Sequence, residues 1–191
     1  MTTSTPSTAQ IPGLVAGTWT IDPIHSEVSF SVRHMMVSKV RGHFTTFEGT
    51  ITVGEDLLAS SVEVSIDLSS IDTREENRDA HLRSGDFFDV ATHPTATYRS
   101  TGVRQSGDHY ILDGDLTLHG TTRSVPLELE SNGVSPDMAG GTRSGFSASA
   151  EISRKDFGME FNMPLDGGGV VVGDAVHLTL EVEAILDKAA A

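Results

Sequence analysis

The 191-residue sequence predicts an all-β fold, an eight-stranded antiparallel barrel with one α-helix over about 74–83 near an opening. Three observations predict it. Eight segments alternate apolar and polar residues at period two, which marks strands with one buried and one wet face. They follow one another through short, turn-rich connections, and a succession of this kind closes into an up-and-down barrel with no free edge. One stretch alone, 72–90, departs from the alternation and is rich in helix formers. A two-sheet sandwich is the competing architecture.

In the first strand Val28, Phe30 and Val32 alternate with Glu27, Ser29, Ser31 and Arg33. Phe47, Ile51 and Val53 share one parity in the second, with Gly49 between them. The third sets Val62, Val64, Ile66 and Leu68 against Glu63, Ser65 and Asp67. The helical stretch follows: Thr73 and Glu76 have capping-box spacing, Gly85 is a natural stop, and the Phe87–Phe88 pair docks the helix. Residues 95–103 form a Thr-rich fourth strand, and the Gly-Asp of "QSGDHY" turns it into the fifth, where Leu112, Leu116 and Leu118 alternate with Asp113, Asp115 and Thr117. "LHGTTR" at 118–123 connects to Val125, Leu127 and Leu129. Phe146, Ala148, Ala150 and Ile152 share the inner face of the seventh strand. The glycine-rich loop "PLDGGGVVVGD" precedes the last, with Val176, Leu178, Leu180, Val182 and Ala184 on one side.

Composition narrows the function classes. A net charge of −14 repels nucleic acid and anionic membrane surfaces at long range. No run of about 18 apolar residues occurs, so no helix is expected to span a membrane. There is no Cys, which excludes disulfides and thiolate metal sites. Residues 1–16 read as a flexible tail without a basic signal-peptide region, ahead of a single domain at 17–188, and a cytoplasmic protein is the expectation.

Motifs for chemistry are lacking. His25, His34 and His43 are evenly spaced but have no ligand pattern around them, and no metal or cofactor is expected. Neither G-x-S-x-G nor a phosphate-binding loop occurs. The inward faces mix Val, Ile, Leu and Phe with small residues (Gly49, Gly114, Ala148 and Ala150) that would leave room inside. A barrel of this size either packs solid or holds one small ligand. The segment "SVRHMMVSKVRGHF" at 31–44 stands apart: Arg33, Lys39 and Arg41 gather there without an acid, beside Met35 and Met36. It reads either as a basic, methionine-lined mouth or as a solvated turn whose methionines plug the barrel floor.

Five segments together resemble the YceI-like family of lipid-binding proteins. They are "GTWTIDPIHSEVSFSVRHMMVSKVRGHFTTFEGTI", "REENRDAHLRSGDFFDVATHPTATYRS", "GDLTLHGTTRSVPLEL", "ISRKDFGM" and "VGDAVHLTLEVEA", and the likeness runs from about Gly17 to Asp187. The resemblance implies an extended lipocalin-like barrel with a helix over its opening, and a carrier that holds an isoprenoid or other amphiphilic chain in an apolar tunnel. Such proteins are often dimeric, and many carry a signal peptide. The family offers no catalytic residue set to transfer.

The expected function is therefore binding or transport of a long apolar ligand: a polyisoprenoid, a quinone or a fatty-acid derivative. Val28, Phe30, Val32, Phe47, Leu112, Leu116, Phe146 and Ile152 are expected to line the tunnel. Met35, Met36, Phe87, Phe88, Phe157, Met159 and Phe161 are expected at its mouth and lid. Arg33, Lys39, Arg41, Arg154 and Lys155 are the candidate head-group contacts. Two alternatives compete. One is an enzyme using His25 or His34 as acid or base, which requires a histidine within reach of both a carboxylate and a cavity. The other is a packed, stress-related interaction module without a cavity.

Overall fold

Alternation sets each strand's inner face, and closure decides how the strands meet. The computed structural model describes residues 10–188. Its strands form one antiparallel sheet. β1 (Gly17–Ile21) and β2 (Glu27–His34) run along one line; β3 (Ser38–Phe44) and β4 (Phe47–Val53) return along the next; β5 (Ser61–Asp67) and β6 (Ile71–Asp72) form the third. β7 (Thr95–Ser106), β8 (His109–Leu118), the interrupted line of β9 (Thr121–Ser124) and β10 (Leu127–Pro136), β11 (Thr142–Ser153) and β12 (Val172–Leu186) complete the meander. With each interrupted pair taken as one stave, the staves number eight. The long β12 closes the ring, pairing with β11 on one side and with both β1 and β2 on the other.

Four strands lie outside the eight alternating segments: the short β6 and β9, and the two that add to the core or complete its pairing, β1 and β3. β1 adds Trp19 and Ile21 to the core as the extension of β2. β3 is the second half of the "SVRHMMVSKVRGHF" segment. Across the β2–β3 pair, Val40 meets Val32, Gly42 meets Phe30 and Phe44 meets Val28. The apolar face is broken at Gly42 because a Cβ there would stand 2.6 Å from the Phe30 ring. Phe30 fills the gap that sequence parity shows as a missing side chain.

The helix α1 spans Glu76–Arg83. Its N-cap is Glu75, whose carboxylate accepts from the Asn77 and Arg78 amides, rather than the Thr73 that capping-box spacing suggested. Arg74 stands in left-handed geometry at φ 64°, between the end of β6 at Asp72 and the Glu75 cap. Thr73 instead donates its amide and hydroxyl to the buried Asp79 carboxylate, and Arg78 donates to the Thr73 hydroxyl and carbonyl. The helix stops at Ser84 in extended geometry, one residue before Gly85. Arg83 then ties it to the Ser69 and Ile71 carbonyls.

Two apolar clusters divide the interior along its axis. One, at the α1 end, gathers Leu68, Tyr98, Leu116, Ile152, Phe157 and Met159. The other, toward the chain termini, gathers Trp19, Ile21, Phe47, Ile51, Phe146 and Ala184. Residues 1–9 of the expected tail lie outside the described residues. Of the remainder, Ile11 is buried in the second cluster and Leu14 packs against it.

Candidate ligand-binding tunnel

Between the two clusters lies a cavity of about 250 Å³. It exceeds the roughly 150 Å³ of an engineered apolar cavity that admits benzene, and approaches the roughly 300–1,000 Å³ of small-molecule pockets. It runs from Ile11, Leu14 and Leu57 at the termini end to Leu82, Phe87, Phe88 and Met159 under α1. Its lining is almost wholly apolar, so water finds none of the two to four polar partners it needs inside.

Of the residues expected in the tunnel wall, Val28, Phe30, Val32, Leu112, Leu116, Phe146 and Ile152 all line the cavity. Phe47 is buried in the termini-end cluster, behind the lining. Of the expected mouth and lid, Phe87, Phe88 and Met159 line it. Phe157 is 1% exposed in the α1-end cluster without facing the space. Phe161 stacks from outside, 5.3 Å between ring centroids from Phe87 and 4.9 Å from His81. The remaining wall comes partly from Val176, Leu178, Leu180 and Val182 of β12, which period-two alternation had already placed inward. Tyr98, Leu82 and Ile11 were not legible as lining, because a mixed strand, a polar helix and a tail carried them.

The small inward residues do not all make the space. Gly49 is filled by Ile21, whose Cδ1 would lie 2.7 Å from an added Cβ. Gly114 is filled by the Tyr98 ring, with its Cζ and hydroxyl at 2.4 Å. Tyr98 crosses there so that its hydroxyl, shared between the Leu112 and Val125 carbonyls at 3.0 and 2.9 Å, is satisfied in an apolar site. Burial, and then the nearby Asp113 and Asp115, push its ionisation well above the usual tyrosine range. Ala148 does face the cavity.

The candidate head-group cations divide by strand parity. Arg33 pairs with Lys39, and Ser31 with Arg41, across the outward face of β2–β3. All three cations are exposed there and lie outside the lining. Arg154 does reach the lining, but its donors are engaged. Nε donates to the Gly173 carbonyl at 2.9 Å, and one terminal nitrogen donates to Met159 and Phe161 at 2.7 and 2.9 Å. The other reaches the Val172 carbonyl and the Asp174 carboxylate, both at 3.4 Å. Desolvation lowers its affinity for the proton, and Asp174 offsets part of that. Lys155 is half exposed and pairs with Asp174 at 2.9 Å.

Met35 and Met36 form the two left-handed central residues of a tight turn, at φ 49° and 61°, with Val37 N–H donating to the His34 carbonyl. This is type I′ geometry, which favours Asn and Gly and strains a longer side chain. The Met35 amide donates to the Val171 carbonyl at 2.8 Å, joining the turn to the glycine-rich loop. Both side chains are about half exposed, outside the lining.

Neither candidate acid–base histidine meets the condition set for it. His25 lies 2.8 Å from Asp22, but it is exposed and does not reach the cavity. His34 is absent from the lining too. Asp22 belongs to a different structure, an ion cluster outside the barrel. The His25 hydrogen bond, and then that of Arg143, hold its carboxyl down at about 2. Arg143 also pairs with Glu183 and Asp137, and the hydrogen bond to Asp22, followed by those to Glu183 and Asp137, raises its own proton affinity. The cavity itself excludes the packed-module alternative, which required a solid interior.

Comparisons with known proteins give the same outline. Residues 19–184 match the family model described as the YceI-like domain. Protein YceI of Escherichia coli O157:H7 is 40% identical over 165 residues, covering 86% of this chain and 83% of that protein. The crystal structure of BcnA from Burkholderia cenocepacia superposes with a TM-score of 0.73 at 23% identity, covering 85% of this chain and 98% of that one. A polyisoprenoid binding domain from Saccharophagus degradans superposes with a TM-score of 0.68 at 18% identity, over 91% and 100% of the two chains. Among the described residues, no helix is long and apolar enough to cross a membrane.

Proposed function

The chain belongs to the YceI-like family, and on that premise we propose that it is a binding protein for a long apolar chain, of the polyisoprenoid or isoprenoid-quinone class. The observation that carries the reading is the continuous apolar cavity along the barrel axis, with no free cation on its wall among the described residues. Each buried CH₂ contributes about 0.8 kcal/mol, so a long chain binds without a specific polar contact. A carboxylate or phosphate inside the cavity would find Arg154 already engaged, so the portion held within is uncharged and any anionic head stays outside. The polyisoprenoid-binding domain of the same architecture supports this class over a compact ligand.

The cavity of about 250 Å³ is small for such a chain, so uptake requires the wall to widen. The α1 end is the place for it. Leu82, Phe87 and Phe88 come there from a helix and its following loop, which are held to the barrel largely through side chains such as Arg83. Native mass spectrometry of protein purified from its own host tests the reading, alongside thermal shifts with polyprenols, quinones and fatty acids. A co-purifying isoprenoid, and a shift with polyprenols abolished by Ala148→Phe, are expected. No bound lipid and no shift with any of the three would overturn the proposal.

A further inference from the structure

Two segments that carry the family resemblance, "DFFDVATHP" and "LHGTTR", take no direct part in the tunnel through their polar residues. The fold brings those residues together. Asp89 and His93 sit on the loop after α1, and His119 sits in the turn between β8 and β9. One donor atom from each lies within 4.8 Å of the others, and all three residues are half-buried. The two imidazole rings meet nearly edge to face, 5.2 Å between centroids.

The surroundings prepare this trio for an ion. The His119 Nδ1 lies 2.9 Å from the Phe157 carbonyl. A carbonyl only accepts, so Nδ1 carries the proton and Nε2 keeps the lone pair. A backbone carbonyl fixing one ring nitrogen so that the other can ligate is the usual outer-shell arrangement of metal-binding histidines. Gly120 stands at φ 71°, and a Cβ there would lie 2.6 Å from His93 Cε1, so glycine both makes the turn and admits the His93 ring. Among the described residues, neither the Asp89 carboxylate nor the His93 ring has a side-chain hydrogen bond or ion pair. The other acid–histidine trio among the described residues, Asp22, His25 and Glu183, differs on this point: Arg143 already occupies it.

The geometry points to a binding site for one divalent transition ion of the zinc class, held by Asp89, His93 and His119 Nε2, with the remaining positions open to water. Two imidazoles and one carboxylate suit Zn²⁺, Co²⁺ or Fe²⁺, whereas Mg²⁺ and Ca²⁺ prefer all-oxygen sets. Bonds of about 2.1 Å place ligand atoms about 3.4 Å apart, so small side-chain rotations close the site. Phe88 and Leu118, each next to a ligand in sequence, line the cavity. A bound ion therefore braces the tunnel wall where the loop after α1 meets the β8–β9 turn.

The test uses tag-free, full-length protein stripped with a chelator and titrated with Zn²⁺ by calorimetry and with Co²⁺ by visible absorption. Saturable one-to-one binding is expected, with a concentration-dependent rise in Tm. His93→Gln and His119→Gln are expected to weaken binding at least tenfold. His25→Gln leaves it unchanged. Histidine-ring NMR of the unmutated protein provides a readout that does not depend on the variants folding: Zn²⁺ shifts the His93 and His119 resonances, not His25. Absence of saturable binding, retention of affinity in both glutamine variants, or ring shifts confined to other histidines would overturn the assignment.

Discussion

The two ends of the barrel are closed by different means. At the termini end, ladders do the work. β1 pairs with both β4 and β12 around Trp19, which is 1% exposed and donates its indole N–H to the Val15 carbonyl. The Arg143 ion cluster adds charge pairing from outside. At the α1 end, side chains bonded to loop carbonyls do most of it. Arg154 gathers the 159–173 loop, Arg83 holds the helix, and the turn to β3 runs through two methionines in strained geometry. Ladder hydrogen bonds break cooperatively, whereas a loop pinned by a few side chains can open locally at lower free energy. On the proposed reading, one end is a floor and the other a gate.

The largest expected effect tests the floor. Trp19→Ala should cost about 3–5 kcal/mol, read by chemical denaturation, because it empties a fully buried site and removes an indole hydrogen bond. Phe88→Ala at the gate should cost less and should speed exchange of a bound apolar probe. Equal stability losses with no change in exchange would break the comparison.

Arg154→Met comes next. It removes the Arg154 donor from the buried Met159 carbonyl and from the half-buried Phe161 and Gly173 carbonyls, at about 1–3 kcal/mol for each group that water cannot reach. Hydrogen exchange should accelerate across 159–173 while β1 stays protected. Uniform acceleration would mean that the two ends are one cooperative unit.

Acid acts on the floor. The Asp22 carboxyl is held at about 2 when folded, against about 3.9 in an unfolded chain. A depressed acid stabilises the fold above its unfolded value, and that stability is lost as pH falls toward the folded one. Denaturation midpoints should drop between about pH 4 and pH 2, and Arg143→Met should flatten the Asp22 share of that slope. The smallest effect is at the gate: Met35→Asn with Met36→Gly relieves the left-handed turn and should add about 0.5–1 kcal/mol, seen as a raised Tm.

Much of this was legible in the sequence. The eight staves and the inward parity of Val28, Phe30, Val32, Leu112, Leu116, Phe146 and Ile152 follow from alternation alone, because a strand's two faces are fixed by its own pleat. The same parity placed Arg33 opposite Val32, so its exposure on the outer face was already implied; Arg41 was not placed, because β3 is not among the alternating segments and only its pairing with Ser31 sets it outward. The capping of α1 was misread because Thr73 has two partners in reach, and the buried Asp79 holds it.

What the chain alone determined is the barrel and the identity of its inner face. What only the tertiary structure decided is how much of that face encloses space. Ile21 and Tyr98 fill the clearances that Gly49 and Gly114 seemed to leave, and Arg154 turns from a candidate ligand contact into the pin of a loop. His93 and His119 likewise carry no local spacing and meet only across a closed wall. The physical reason is range: a side chain's face is set by its neighbours in sequence, but the volume it fills and the partners it finds are set by strands that arrive from elsewhere in the chain.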